Sequence, residues 1–416
     1  MKPIEHISGA FSRESEKINQ WIKEMCERVR VPLYTSVDLR ISNFKVAPVD
    51  TNLFPAGFNN LSDDCRAHTA QLFRAYFLKR YPRINRVLLI PELHTRNPYY
   101  WENLFILKSI IESVGYSVGV GLVGEGLREE RVEFEKLSDG KLTAYKLKRE
   151  GNRVATSEFE PDLLLINNDF STKRPEILRE IAQPVDPPIE LGWHTRRKAV
   201  HFEFYNKLVR EFAELIGIDP WLISMPTKAV SGVSLDDLKD REKVAEAVDA
   251  LLESTRIQYE RHGIKERPYA VIKSNAGTYG MAVITVQDPE EVRDLNLEGR
   301  KRMRVSKGGV PVRDVVVQEG VPTALTSDSG RPAEPVAYLV EANVAGAFLR
   351  HNTDKSEREN LNTRGMGFSS IPCIYDEDGR KHFPQAAQTI SRIASVAAGY
   401  EIEKILREGG CKECAS

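Results

Sequence analysis

The sequence predicts a multi-lobed protein of mixed α/β and α+β class, with a parallel α/β domain at its N-terminal end and antiparallel β structure towards its C-terminal end. Three observations lead there. RVLLI (86–90), a helical pattern over 99–114 and YSVGVGLVG (116–124) alternate as strand, helix and strand, and PDLLLINND (161–169) adds one more buried strand. From Pro268 onwards the chain turns β-type, with YAVIKS, MAVITV, VRDVVVQ and PVAYLVEA in succession. A length of 416 residues calls for two or three lobes rather than one simple core.

The elements follow in order. Ile18, Trp21, Ile22, Met25 and Val29 recur at three-to-four spacing and predict an N-terminal amphipathic helix. A second helical pattern over 62–81 carries Leu72, Phe73, Tyr76 and Phe77 and stops at Pro82. Residues 131–155 alternate and contain Asp139-Gly140, a hairpin signal. In open α/β sheets ligands sit beyond the carboxyl ends of the strands, so the polar exits 92–98 and 167–171 are candidate site segments. The proline-rich stretch QPVDPPIELGWH (183–194) reads as a connector, before two long helical patterns at 198–216 and 238–262. A helix-like tail covers 384–407. The expected division is an N-terminal domain 1–190, a helical connector 191–265, a Gly-loop lobe 266–323 and a C-terminal lobe 324–416.

Composition excludes several classes. Lys plus Arg total 59 and Asp plus Glu 60, a formal charge of −1, which leaves no electrostatic footprint for nucleic acid and no polybasic membrane anchor. No apolar run approaches a membrane span, and the start lacks the apolar stretch of a secretory signal. Five cysteines, sparse and odd in number, fit a reducing compartment. A cytoplasmic location is therefore expected, and a homo-oligomer is left open. The terminal CKEC (411–414) has no second cysteine pair to complete a four-ligand zinc site.

The most chemical segment is YAVIKSNAGTYGMAVITV (269–286). A β run ends in Lys273, and the small-residue loop Ser274, Asn275, Gly277, Thr278, Gly280 returns into a second β run. It reads either as a plain glycine hairpin or as a cradle whose backbone N–H groups hold phosphate, with Lys273 neutralising its charge. VVVQEG (315–320) is a strand that exits into Gln318 and Glu319, groups able to bind an adenine amino edge and ribose hydroxyls. Beyond it lie Glu341, Asn343, Arg350 and Asn352, then Asn360 and Asn362. Mg2+ takes hard oxygen ligands and reaches phosphates through one or two carboxylates, so Glu341, Asn343 and Asn362 are candidate metal ligands, and Arg350 can stabilise a phosphoryl group in transit. Each Asn can equally be a turn or cap residue.

Between residues 38 and 60, Asp38, Arg40, Lys45, Asp50, Asn52, Asn59 and Asn60 crowd a segment kept in turns by Pro48, Pro55 and Gly57. A small zwitterion needs cations for its carboxylates and anions for its ammonium, and this set supplies both. The alternative is an Asx-turn segment that packs Phe54 and Phe58. Arg96 and Asn97 at the 92–98 exit extend the substrate-binding candidates.

The order of Lys-strand, glycine loop, strand ending in Gln-Glu, then a β segment with carboxylate, Arg and Asn resembles the ATP-grasp superfamily. VDLRISNFKVAPVDTNLFPAGFNNL (37–61), KSNAGTYGM (273–281), EPVAYLVEANVAGAFLR (334–350) and ENLNTRGMGF (359–368) resemble a bacterial glutamate–cysteine ligase family of ATP-grasp type, distinct from the glutamine-synthetase-like ligases. That resemblance covers nearly the whole chain. It implies an ATP-grasp-like ligase fold with the N-terminal α/β domain binding substrate. It implies ATP and Mg2+ as cofactors, glutamate and cysteine as substrates, and the first step of glutathione biosynthesis as the activity. It places ATP phosphates at Lys273 and the 274–280 loop, nucleotide contacts at Gln318 and Glu319, and the metal at Glu341. Lys273 and Arg350 are the expected catalytic pair.

Overall fold

The computed structural model describes residues 3–93, 97–124, 127–135, 140–277, 280–305, 307–371 and 383–410. Thr278, Arg96 and the CKEC tail lie outside these.

The expected parallel unit forms. Its sheet runs in the order Val185–Asp186, Leu163–Asn167, Arg86–Pro91, Ser117–Leu122, Lys141–Lys146, Arg131–Glu135, with parallel pairing through the first five and the anticipated hairpin at the far edge. Leu163–Asn167 is buried at every position, as a strand covered on both faces must be. The helix Asp63–Arg80 is N-capped by Ser62, whose hydroxyl accepts from the Cys65 N–H. The chain leaves Arg86–Pro91 towards Ser117–Leu122 on one side, while Leu163–Asn167 flanks it on the other. That reversal puts residues 92 and 168–171 at a topological switch point.

A second sheet does not respect the expected domain division. Its order is Met366–Ser370, Asn343–Asn352, Pro332–Val340, Tyr34–Ile41, Val46–Asn52, with Leu325–Thr326 also paired to Pro332–Val340. The N-terminal hairpin thus completes the C-terminal sheet, with Asp38 opposite both Val336 and Asp50. Tyr34–Ile41 is buried throughout, which only a central strand can be. Its Val37 and Leu39 share one core with Phe11, Trp21, Phe212 and the C-terminal helix Gln385–Gly410, so residues 1–190 are not a self-contained domain.

The third sheet runs Thr227–Ser231, Asp314–Glu319, Ala270–Ser274, Val283–Val286, antiparallel throughout. Helix Leu238–Arg261 backs it with Val244, Val248, Leu251 and Leu252. That helix therefore belongs to the Gly-loop lobe, whereas Lys198–Ile216 packs in the main core with Phe202, Tyr205 and Phe212. The expected connector is split between the two.

Candidate functional site

The polar face of the second sheet forms the floor of a cleft. Residues two apart on a strand share a face, so Asp38 and Arg40 point the same way. Asp50 and Glu334 join them from the neighbouring strands. The Gly-loop lobe forms the wall through Lys273, Ser274, Gly277 and Gly280, and Gln318, Glu319 and Val321 form the back. Asn360 and Asn362 close the remaining side. The cleft is open to solvent, and the space between its walls, solvent included, amounts to about 760 Å³.

A second chamber of about 680 Å³ adjoins it and shares Asp38 and Asn362. Asn52, Asn60, Glu92, Asp169 and Arg350 line it, beside the apolar surface of Phe54, Tyr338 and Phe348.

Charge is concentrated where the chambers meet. Arg350 donates from Nη1 to Asp38 Oδ2 (2.8 Å) and Glu334 Oε1 (2.9 Å), and its buried Nε has no hydrogen-bond partner among the described residues. Burial pushes the Asp38 carboxyl up, opposed by Arg350 and reinforced by Glu334. Lys198 Nζ meets Asp50 Oδ1 at 2.6 Å. Burial works against the Asp50 carboxylate, but Lys198 and Lys273 hold it down at about 2. Lys273 donates to the Val49 carbonyl at 2.6 Å. Burial, partly offset by Asp50 and reinforced by Lys198, lowers its ammonium to about 8.

The predicted residues thus divide. Lys273, Ser274, Gly277, Gly280, Gln318, Glu319, Arg40 and Asp50 face the first chamber; Asn52, Asn60 and Arg350 face the second; Asp38 and Asn362 face both. Arg40 is already committed. Its Nε meets Glu334 at 2.6 Å, and its terminal nitrogens donate to the Glu357 and Glu359 carbonyls at 2.7 Å each. It fixes the 357–359 loop rather than waiting for a substrate carboxylate. Lys45 is fully buried in an ion pair with Glu319 (2.7 Å), which also accepts from the Trp221 indole (3.1 Å). It is a support for Glu319 and cannot reach an amino acid.

Asn275 turns away to cap helix Lys198–Ile216, its Oδ1 accepting from the Ala199 N–H at 3.0 Å. Asn97 caps helix Pro98–Glu112, and Asn59 offers its carbonyl to Arg66 instead of lining either chamber. Asn352 clamps the 361–364 turn through its amide.

Glu341 and Asn343 are misplaced by the sequence reading. Glu341 sits with Ala342 in the tight turn between Pro332–Val340 and Asn343–Asn352, at φ +50°, and pairs with Lys79 (3.1 Å) and Arg80 (3.8 Å). At about 3.3 Å per strand residue, that turn lies roughly 20 Å from Glu334 and the cleft. We expect Glu341→Gln to leave kcat unchanged; steady-state phosphate release from ATP checks this.

The sequence reading missed Glu334, and it marked the exits that carry Glu92 and Asp169 without singling those two residues out. Glu334 had a signal: it and Arg350 lie symmetrically about the hairpin turn and pair across it. Gly280 also matters structurally. Its φ is +62°, and a Cβ there would lie 2.2 Å from the Asn362 carbonyl oxygen. Gly280→Ala is expected to push the loop off the 360–362 segment and to raise the KM for nucleotide several-fold in steady-state assays.

Comparison with known proteins decides the family. Residues 9–402 match the family model described as Glutamate-cysteine ligase. The chain belongs to the glutamate–cysteine ligase family. A solved structure provisionally assigned as a gamma-glutamylcysteine synthetase, from Methylobacillus flagellatus KT, is similar at 34% identity, with 97% of this chain and 96% of that one covered and a TM-score of 0.88. D-alanyl-alanine synthetase A from Vibrio cholerae aligns at 9% identity and TM-score 0.36, over 74% of this chain and 79% of that one. A glutathione synthetase-like effector from Globodera pallida aligns at 11% and 0.39, over 83% and 77%. These last two are too distant to add to the argument. Comparison with curated proteins finds no match. The glutamate–cysteine ligase assignment makes the protein an enzyme of glutathione biosynthesis acting on small molecules. Among the described residues no helix is long and apolar enough to cross a membrane.

Proposed function

We propose that this glutamate–cysteine ligase binds ATP in the first chamber and glutamate in the second, and joins the γ-carboxylate of glutamate to the amine of cysteine through an acyl phosphate. The observation that carries the reading is that the two chambers meet at Asp38 and Asn362, so a γ-phosphate and a carboxylate can be brought together there.

The residues divide the work as follows. The base lies against Tyr269, Val271 and Val321, where the buried, unpartnered Glu319 Oε1 accepts from the adenine amino group. Lys45 and Trp221 hold Glu319 in place for this. Lys273 and the 274–280 backbone take the phosphates. The glutamate carboxylate attacks the γ-phosphorus and ADP leaves. The cysteine amine then attacks the acyl carbon and expels phosphate, losing its proton. Arg350 offsets charge at the junction, and the glycine loop excludes water that would hydrolyse the acyl phosphate.

Among the described residues no three His, Cys, Asp or Glu side chains form a ready-made metal cage. Mg2+ fits the cleft nonetheless, because it is held by one or two carboxylates together with phosphates. Asp38 and Asp50 are cross-strand partners, and Asn52 Oδ1, two residues beyond Asp50, is a buried oxygen with no hydrogen-bond partner among the described residues. These three would hold the ion in place of Glu341 and Asn343. When bound, Mg2+ supplies charge neutralisation across the transferring phosphates.

The test is phosphate release from Mg-ATP by purified protein, screened over single amino acids and pairs, with mass spectrometry of products. Release that requires glutamate and cysteine together, with a γ-glutamylcysteine mass, is the expected result. Release with another pair keeps the mechanism and overturns the substrates. Nucleotide binding with no release for any pair overturns the catalytic reading.

A further inference from the structure

At the mouth of the second chamber, two carboxylates from the parallel sheet hold a primary ammonium. Lys307 lies between helix Leu297–Arg304 and strand Asp314–Glu319, in the Gly-loop lobe. Its Nζ crosses to Glu92 Oε2 at 2.5 Å and Asp169 Oδ2 at 2.7 Å. Ser171 donates to the other Asp169 oxygen at 2.6 Å and fixes that carboxylate. Only 12% of the Glu92 side chain and 6% of the Asp169 side chain are exposed.

Two independent features mark this as a ligand position rather than a surface ion pair. Glu92 and Asp169 follow adjacent parallel strands at the switch point of the sheet, the place where α/β sheets bind ligands. The chamber they line also contains Arg350, 8% exposed, whose Nε has no hydrogen-bond partner among the described residues. A carboxylate-seeking group and an ammonium-seeking pair thus share one cavity.

We propose that Glu92 and Asp169 form the subsite for the α-ammonium of the amino acid whose side-chain carboxylate is activated, and that Lys307 fills it as a tethered stand-in until that amino acid arrives. The proposal rests on the ligase reading and deepens it. A lysine Nζ and an α-ammonium present the same three N–H donors, so the subsite is displayed in its occupied form. The chemistry distinguishes the two amino-acid substrates. The acceptor must lose a proton from its amine to attack, and a dicarboxylate pocket would oppose that loss. The donor must keep its own amine protonated, since a free amine beside the acyl phosphate would compete with the acceptor. The pair therefore suits the donor. Displacing Lys307 also releases the Gly-loop lobe from the parallel sheet, which ties loop movement to arrival of the amino acid.

The test compares glutamate with glutarate, which lacks the amine, in Glu92→Gln, Asp169→Asn and Lys307→Met. The readouts are phosphate release in the presence of cysteine and calorimetric binding of glutamate. Glu92→Gln and Asp169→Asn are expected to raise the KM for glutamate about tenfold or more, the scale of a lost charge-assisted hydrogen bond, and to erode the preference over glutarate. Lys307→Met is expected to tighten glutamate binding several-fold and leave the KM for ATP unchanged. Undiminished preference for glutamate in Glu92→Gln overturns the proposal. So does a Lys307→Met protein that weakens glutamate and ATP alike, which is the behaviour of a mere tie between lobes. If Asp169→Asn does not fold, the other two variants carry the decision. Absence of glutamate-dependent release in the unaltered enzyme would instead fail the ligase reading itself.

Discussion

Lys273→Met is expected to lower kcat/KM for ATP by about a thousandfold or more while the protein stays folded. The size follows from removing a preorganised cation beside a transferring phosphoryl group, where a single such group is worth about 10³ to 10⁵ in related chemistry. The fold should survive because, among the described residues, the Lys273 ammonium makes one hydrogen bond, to the Val49 carbonyl; its removal ends the desolvation of a buried ammonium, and Lys198 still pairs with Asp50. Thermal unfolding alongside phosphate release separates the two effects. An unchanged kcat with only a weaker ATP affinity would sink the catalytic role.

The same residue sets a pH dependence. Burial lowers its ammonium from the ordinary lysine range to about 8, so it is charged below that pH and neutral above it. The rate parameter kcat/KM reports the free enzyme and should fall as pH rises through about 8. Bound phosphates favour the charged form, so kcat at saturating ATP should hold to higher pH. Coincident profiles for the two parameters would point to a different titrating group.

How far the sequence foretold this site depends on the range of the information involved. The Gly-loop hairpin was legible because its strands are adjacent in sequence and its glycines have few other reasons to cluster. The polar segment 38–60 was legible as a site for the same reason. Its place in the fold was not, because the hairpin Tyr34–Ile41/Val46–Asn52 pairs with a strand about three hundred residues later. That pairing brings Glu334 and Arg350 onto the face that carries Asp38 and Arg40. Lys45 and Arg40 looked free because their partners, Glu319 and Glu334, are equally remote. Glu341 misled for the opposite reason. Its carboxylate beside Asn343 suggested hard-oxygen metal ligands, but two apolar runs separated by two residues are a hairpin signal, and the turn chemistry decided.

Arg350→Ala is expected to cost both stability and turnover, and the pattern of rescue separates them. Arg350 lies between Asp38 and Glu334 with 8% of its surface exposed. Truncating it leaves the buried Asp38 carboxylate without its cation and Glu334 with Arg40 alone, a loss of about 3–5 kcal/mol in comparable buried pairs. Burial already pushes the Asp38 carboxyl up, so one acid should take a proton when the cation goes, which makes the variant less unstable at low pH than at neutral pH. The sign follows from linkage: a carboxyl whose folded-state pKa is raised binds a proton more readily folded than unfolded, so stability falls as pH rises through that range. Adding Glu334→Gln to Arg350→Met removes the like charge that repels Asp38 and should restore part of the melting temperature. Turnover should not return with it, because the guanidinium that faces the second chamber is still absent. Arg350→Lys keeps the charge but neither the two-pronged grip on Asp38 nor the Nε–H, so it should recover stability further than activity. Recovery of phosphate release in step with melting temperature across these variants would make Arg350 a purely structural residue and remove it from the chemistry.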